Sequence, residues 1–253
     1  MRRIHLFELE DQPWCPVVLR DGATAFLEVM VRRTGSAQAL KPALVSALEK
    51  TGQRHISDLC SGGGGPLPIL LEDLPEVSAT LSDLYPNQEA FAEHARRNDR
   101  ISYRAGSVDC TNPPDDLQGL LTLFNAFHHF RPATARKLLE RAVERRQPIA
   151  LFELVDRSKL LSLPFFPLII FLSMPSVRPL RLEWLFFTYV IPLIPLLILW
   201  DGLVSCLRAY SHDELRELTR DLNDFTWEIE YFDLAIGRGT SVVGIPRELS
   251  KPE

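Results

Sequence analysis

The run from His55 to Pro66, His-Ile-Ser-Asp-Leu-Cys-Ser-Gly-Gly-Gly-Gly-Pro, constrains this chain more than any other stretch. Ile56 and Leu59 flank Asp58 in a short apolar run that ends in four consecutive glycines. The pattern predicts a buried strand, a glycine turn, and a helix whose first turn accepts Pro66. Lacking Cβ atoms, positions 62–65 let a ligand approach the backbone closely. The free N–H groups of the turn and helix start favour negative or polar oxygens there.

From His55 onward, apolar runs alternate with helical patterns, the signature of a parallel sheet with crossover helices. Strands are expected at 55–60, 77–82, 101–105, 120–125 and 148–154, with helices at 66–74, 86–97 and 132–145. Ser211-His-Asp-Glu214 has the form of a capping box and opens a helix through about Asp221. Residues 225–232 and 240–245 read as an antiparallel pair closing the sheet. Leu40, Leu44 and Leu48 repeat at helical spacing, so residues 1–50 are expected to form an N-terminal cap. Residues 51–253 form one domain with an apolar insertion at 157–207.

Composition narrows the partners. With 253 residues and a net charge of -5, the chain carries no broad basic surface, and nucleic acid is not an expected partner. Cys15, Cys60, Cys110 and Cys206 form no C-x-x-C pair, which argues against a zinc site or a disulfide framework. No metal is expected, and a reducing, cytoplasmic setting fits. The first ten residues lack the apolar core of a secretory signal.

Asp58, Cys60, Gly62 and Gly64, with Asp83 about 20 residues beyond the turn, resemble the first motif of the class I S-adenosylmethionine-dependent methyltransferases, acid-x-Gly-x-Gly-x-Gly. Cys60 stands at the first glycine, a departure that a negative φ there tolerates. The third glycine of the nicotinamide fingerprint Gly-x-Gly-x-x-Gly is missing. The resemblance implies an α/β fold: a Rossmann-like, mostly parallel seven-stranded sheet with helices on both faces, an N-terminal helical cap and an apolar helical insertion after strand five. It also implies a donor site. Asp58, Cys60, Gly62 and Gly64 would form its turn, and Asp83 with Leu84 would meet the ribose. Ser107, Val108 and Asp109 would hold the adenine, and Asn125 would lie near the transferred methyl. S-adenosylhomocysteine would be the product.

Methyl transfer depends mainly on alignment, with a base where the acceptor is protonated. His128 and His129 are the candidates, because imidazole titrates near neutrality. Adjacent in sequence, they are expected to face opposite ways, with His129 the active one and the other packing. A nucleophilic role for Cys60 or Cys110 is less favoured than simple burial, since neither has a histidine nearby in sequence.

After strand five the chain turns apolar. Leu160–Val177 and Trp184–Trp200 carry no charge, and only Arg178, Arg181 and Glu183 separate them. Each run falls short of the ~20 residues a spanning helix needs and contains prolines, so two full crossings are not expected. A lid over a lipophilic acceptor, a peripheral membrane contact through 160–200, and a homodimer face all stay open. Trp184 and Trp200 with the nearby arginines have the distribution of interfacial anchors. Trp14, Tyr189 and Asp201 are candidate acceptor contacts. Trp14 could instead pack the cap onto the sheet; Asp201 could pair with Arg208 or sit in an exposed Asp-Gly turn. The expected activity is methyl transfer to a small, lipophilic or membrane-derived acceptor, in the cytoplasm or peripherally at a membrane. The alternative is a non-catalytic, membrane-associated or scaffold protein that keeps the fold. A further rival binds another adenosyl or nucleotide ligand in the same crevice.

Overall fold

A computed structural model describes residues 3–161, 163–235 and 237–249. The parts of the expected cap, insertion and domain at residues 1, 2, 162, 236 and 250–253 lie outside the described residues.

Seven strands form one sheet: β1 (His55–Asp58), β2 (Ser78–Leu81), β3 (Ile101–Tyr103), β4 (Leu120–Phe124), β5 (Ile149–Glu153), β6 (Phe225–Asp233) and β7 (Arg238–Pro246). Their spatial order is β3-β2-β1-β4-β5-β7-β6. β1 to β5 run parallel, and β7 pairs antiparallel with both β5 and β6. β4 and β5 are buried along their whole length, as parallel strands covered on both faces must be. The order reverses between β1 and β4. A crevice therefore opens beyond the carboxyl ends of those strands, where open α/β sheets bind ligands.

Two layers of helices cover the sheet. On one face lie α2 (Ser36–Thr51), α3 (Leu67–Glu72) and α4 (Gln88–Arg97), whose Leu40, Leu44, Leu70 and Phe91 share a core with Ile56, Leu81 and Phe152. On the other lie α5 (Pro132–Glu144) and α9 (His212–Thr219), through Leu138, Leu139 and Leu215 against Leu123 and Leu151. Ser211 and Glu214 form the expected capping box. α2 is thus part of the sheet's own sandwich, whereas α1 (Val17–Arg33) belongs with the insertion.

That insertion comprises α6 (Phe166–Ser173), α7 (Leu182–Tyr189) and α8 (Leu193–Arg208). Its inward side chains, among them Ile170, Met174, Trp184, Ile194 and Ile198, form a third core with Leu19, Ala23 and Phe26 of α1. Among the described residues no single helix is long and apolar enough to cross a membrane; α7 and α8 pass such a test only as a pair bent by 74°. Gly22 is where α1 meets this layer most closely, since a Cβ there would lie 2.7 Å from Ile194 Cδ1 and 2.9 Å from Trp184 Cδ1.

Gly22→Val should therefore overpack the contact between α1 and the insertion and cost ~1–3 kcal/mol. Urea unfolding of the full chain measures this, and an unchanged midpoint would mean that α1 is not fixed against α7 and α8.

Candidate active site

The turn after β1 is braced from within. Asp58 is 1% exposed, and its carboxyl accepts from Ser61 Oγ at 2.6 Å and Thr122 Oγ1 at 2.7 Å. Burial, aided by the charge of Asp83, raises its pKa to about 7 against the pull of those two bonds. Asp58 holds the turn together and does not face the crevice. Asp83, following β2, accepts from the N–H of Gly62 at 2.9 Å and of Tyr85 at 2.8 Å. The two strand ends are thereby locked to each other.

Gly62 has φ +55, and a Cβ there would meet nothing within 4 Å, so the space over the turn is open to a ligand. Gly64 differs: a Cβ there would strike His94 Nε2 at 2.7 Å, and that ring is held by Gly63 O at 2.9 Å. Close helix packing accounts for Gly64, and open approach for Gly62. Cys60 does not meet the condition that makes its departure from glycine tolerable: its φ is +59, in the left-handed region that a side chain occupies only at a cost.

Further along the same edge, Leu84 and Tyr85 are exposed, and Ser107 Oγ donates to Leu84 O at 2.7 Å. Val108 is buried, and its N–H bonds Asp83 O at 2.8 Å. Asp109 Oδ1 accepts from Thr111 N and Oγ1, both at 2.8 Å, as a turn cap does. Asn125, at φ +53, accepts from Leu154 N at 3.1 Å. It fixes the turn between β4 and the histidine pair. Asp83, Ser107, Asp109, Asn125 and both histidines thus gather at the carboxyl ends of the strands.

The two histidines do not face opposite ways, since both turn Nε2 towards Glu8, but their burial differs. His128 is wholly buried; its Nδ1 lies 2.5 Å from Glu153 Oε2, whose other oxygen accepts from Phe127 N at 2.7 Å. A carboxylate only accepts, so Nδ1 carries the proton. His128 Nε2 is buried without a hydrogen-bond partner, 3.9 Å from Glu8 Oε1. His129 is about one-third exposed, with Nε2 3.5 Å from Glu8 and Nδ1 3.4 Å from Asp11. Burial lowers its pKa. The hydrogen bond to Asp11 and the charges of Glu8 and Asp11 outweigh that, and the net shift is upward.

Glu8 and Asp11 come from an N-terminal strap laid along α8. Arg208 ion-pairs with Glu8 at 3.1 Å and Asp11 at 3.4 Å, and also donates to Leu6 O at 2.7 Å. Arg3 donates to the carbonyls of His128 and Phe130, both at 2.7 Å. Asp201 corrects both expectations for it: within α8 and buried, it accepts from the N–H of Leu9 at 2.6 Å and Glu10 at 3.0 Å, forming neither an exposed turn nor the partner of Arg208. Its pKa rises to about 6 and that of Glu10 to about 8, chiefly through burial. Trp14 is 65% exposed and does not pack the strap onto the sheet. Tyr189 donates to Phe171 O, on the outer side of the insertion. Among the described residues, neither Trp14 nor Tyr189 hydrogen-bonds to or stacks on the histidines; Tyr189 pairs with Phe171 instead.

Glu8, Arg208, Asp11 and Glu153 were not among the candidates read from sequence. Glu8, His128 and His129 bring possible ligand atoms within 4.8 Å of one another. The guanidinium of Arg208 already supplies a cation against Glu8 and lies 3.4 Å from His129 Nδ1. The cluster reads as an ion-pair and proton-holding network.

No protein-family model and no curated protein matches the chain. Solved structures do match its fold. Human N-acetylserotonin methyltransferase, solved with S-adenosylmethionine, aligns at TM-score 0.53 and 13% identity over 90% of this chain and 55% of its own. The O-methyltransferase NcsB1 from neocarzinostatin biosynthesis, solved with S-adenosylmethionine and 2-hydroxy-5-methyl naphthoic acid, aligns at 0.55 and 15% over 91% and 58%. The plantazolicin methyltransferase BpumL, solved with S-adenosylhomocysteine, aligns at 0.54 and 14% over 94% and 93%. The chain spans little more than half the length of the first two. Its fold is that of the class I S-adenosylmethionine-dependent methyltransferases.

Two expectations follow. Cys60→Gly should leave stability unchanged or raise it by up to ~1 kcal/mol, because relief of the left-handed backbone offsets the lost thiol packing. Cys60→Val should cost more than ~1 kcal/mol, since a branched side chain fits that region worst; denaturant midpoints decide both. In a proton NMR titration, the His129 imidazole should titrate above the ordinary value of about 6.5, and Asp11→Asn should bring it down. An unchanged midpoint in that variant would remove Asp11 from the network.

Proposed function

We propose that this protein transfers a methyl group from S-adenosylmethionine to a small, lipophilic acceptor. One observation carries the reading: the locked Gly62–Asp83 strand ends and the His128–His129 turn share the crevice edge at the point where strand order reverses. The open face of Gly62 fits a ligand pressed against the turn, and Asp83 and the Ser107–Asp109 turn lie where the ribose and base of such a ligand would be held. When bound, that donor supplies an electrophilic methyl on a sulfonium.

The chain's own residues do the rest. His129 is the more exposed imidazole and the one whose proton affinity the strap's acids tune, so it would accept the acceptor's proton. His128 positions it: their rings lie 4.4 Å apart, and His128 is anchored by Glu153. The strap and α8 cover the histidines with Glu8, Asp11 and Arg208, and α8 continues into the apolar insertion; that apolar layer supports a lipophilic acceptor. The solved structures of this fold described above are methyltransferases, which supports the same reaction class.

Isothermal titration with S-adenosylhomocysteine tests the reading. The wild-type chain should bind it, and Asp83→Ala should weaken binding at least ~10-fold, about 1.4 kcal/mol. His129→Gln should keep that affinity while losing ~10²–10⁴-fold in turnover on any accepted hydroxylated compound. Absence of binding by the wild type would favour a non-catalytic protein that retains the fold.

A further inference from the structure

The insertion has two apolar sides, and only one is used. Its inward residues are packed against α1. Its outward residues include Leu182, 80% exposed, Leu172 at 72%, Phe165 at 69%, Val190 at 67%, Leu168 at 61% and Leu196 at 57%. Phe165, Leu168 and Leu172 are spaced three and four apart, so they share one helical face. That face runs into α7 where the rings of Phe171 and Tyr189 meet at 5.8 Å. At roughly 100 Å² for each of the six, the surface amounts to ~600 Å², at the upper end of what a monomeric protein exposes. A helix apolar all round is ordinarily buried in protein or in lipid.

We infer that this outer surface of α6, α7 and the start of α8 docks into the interface of a phospholipid bilayer bearing anionic lipids. Between Leu160 and Trp200 the charged residues are Arg178, Arg181 and Glu183, a net positive rim on a chain of net charge -5. Both arginines are exposed in the link between α6 and α7, beside the apolar face. This is the charge pairing that anionic headgroups complement. A second copy fits less well, because a two-fold axis through the patch would bring the same arginine pair towards itself. The bend between α7 and α8 and the short length of α6 suit a surface that enters the headgroup–acyl boundary without crossing. The inference stands whether or not S-adenosylmethionine is the ligand of the crevice. Combined with that reading, it places the acceptor's entry route at the membrane.

Flotation of the full chain with vesicles of phosphatidylcholine, alone or mixed with phosphatidylserine, tests it. The wild type should float with the mixed vesicles, and less with phosphatidylcholine alone. Leu168→Asp with Leu172→Asp and Val190→Asp should reduce the floating fraction at least ~10-fold. Arg178→Glu with Arg181→Glu should remove only the phosphatidylserine increment. Circular dichroism melting confirms that the variants fold, and Leu172→Asp alone serves if the triple variant does not. A wild type that stays with the soluble fraction, or a folded triple variant that floats undiminished, overturns the proposal. Sedimentation that finds a dimer abolished by the same substitutions, without flotation, assigns the surface to a second copy instead.

Discussion

One guanidinium ties this molecule together. Arg208 is 4% exposed, and it contacts the strap through Leu6, Glu8 and Asp11 and the turn after β4 through His129. Taking a charge out of water costs several kcal/mol unless it is fully paired. The strap, α8 and the histidine turn are therefore obliged to keep company. None of the three can shift without leaving Arg208 or Glu8 buried and alone. The same obligation fixes where the apolar insertion sits, since α8 carries both Arg208 and the inward residues packed on α1.

The glycine turn is governed by a different balance. Asp58 is buried and its hydrogen bonds are internal, so its role is to hold Ser61 and β4 in register with the turn. Asp83 then restrains Gly62 from outside. Cys60 keeps a left-handed backbone without the residue that adopts it most easily, at a cost of order 1 kcal/mol. The turn accepts this because the bonds around it over-determine its shape.

The sheet was legible because its evidence is local. Strand and helix patterns from His55 to Ile245 predicted all seven strands to within about three residues, and the four glycines marked the turn outright. The expected Asp58 and Asp109 contacts with a ligand were less secure for a physical reason: an acid at a strand end can brace its own turn as readily as hold a guest, and these two do the former. Glu8, Asp11 and Glu153 could not be read at all, and Arg208 only as a partner for Asp201, whereas it pairs with Glu8 and Asp11. The strap acids lie about 200 residues from Arg208 in sequence, and no periodicity links them. The nearest signal is the strap's own composition, three acids within the four residues Glu8-Leu-Glu-Asp11, two of which dock against Arg208. Asp201-Gly202 misled because that pair favours turns, yet tertiary packing carried α8 straight through it.

Burial and charge together give the strap a direction of response to pH. Glu10, with pKa raised from 4.5 to about 8, and Asp201, raised from 3.8 to about 6, bind protons more tightly folded than unfolded. Their contribution to docking is full below the unfolded values and is lost as pH rises through the folded ones. His129, also shifted upward, has the same sign: its protonated form is the one that Glu8 and Asp11 hold. Three groups from the strap, α8 and the post-β4 turn thus weaken the same contact as alkalinity increases. Deprotonation of His129 removes the positive charge that Glu8 and Asp11 hold across the strap contact.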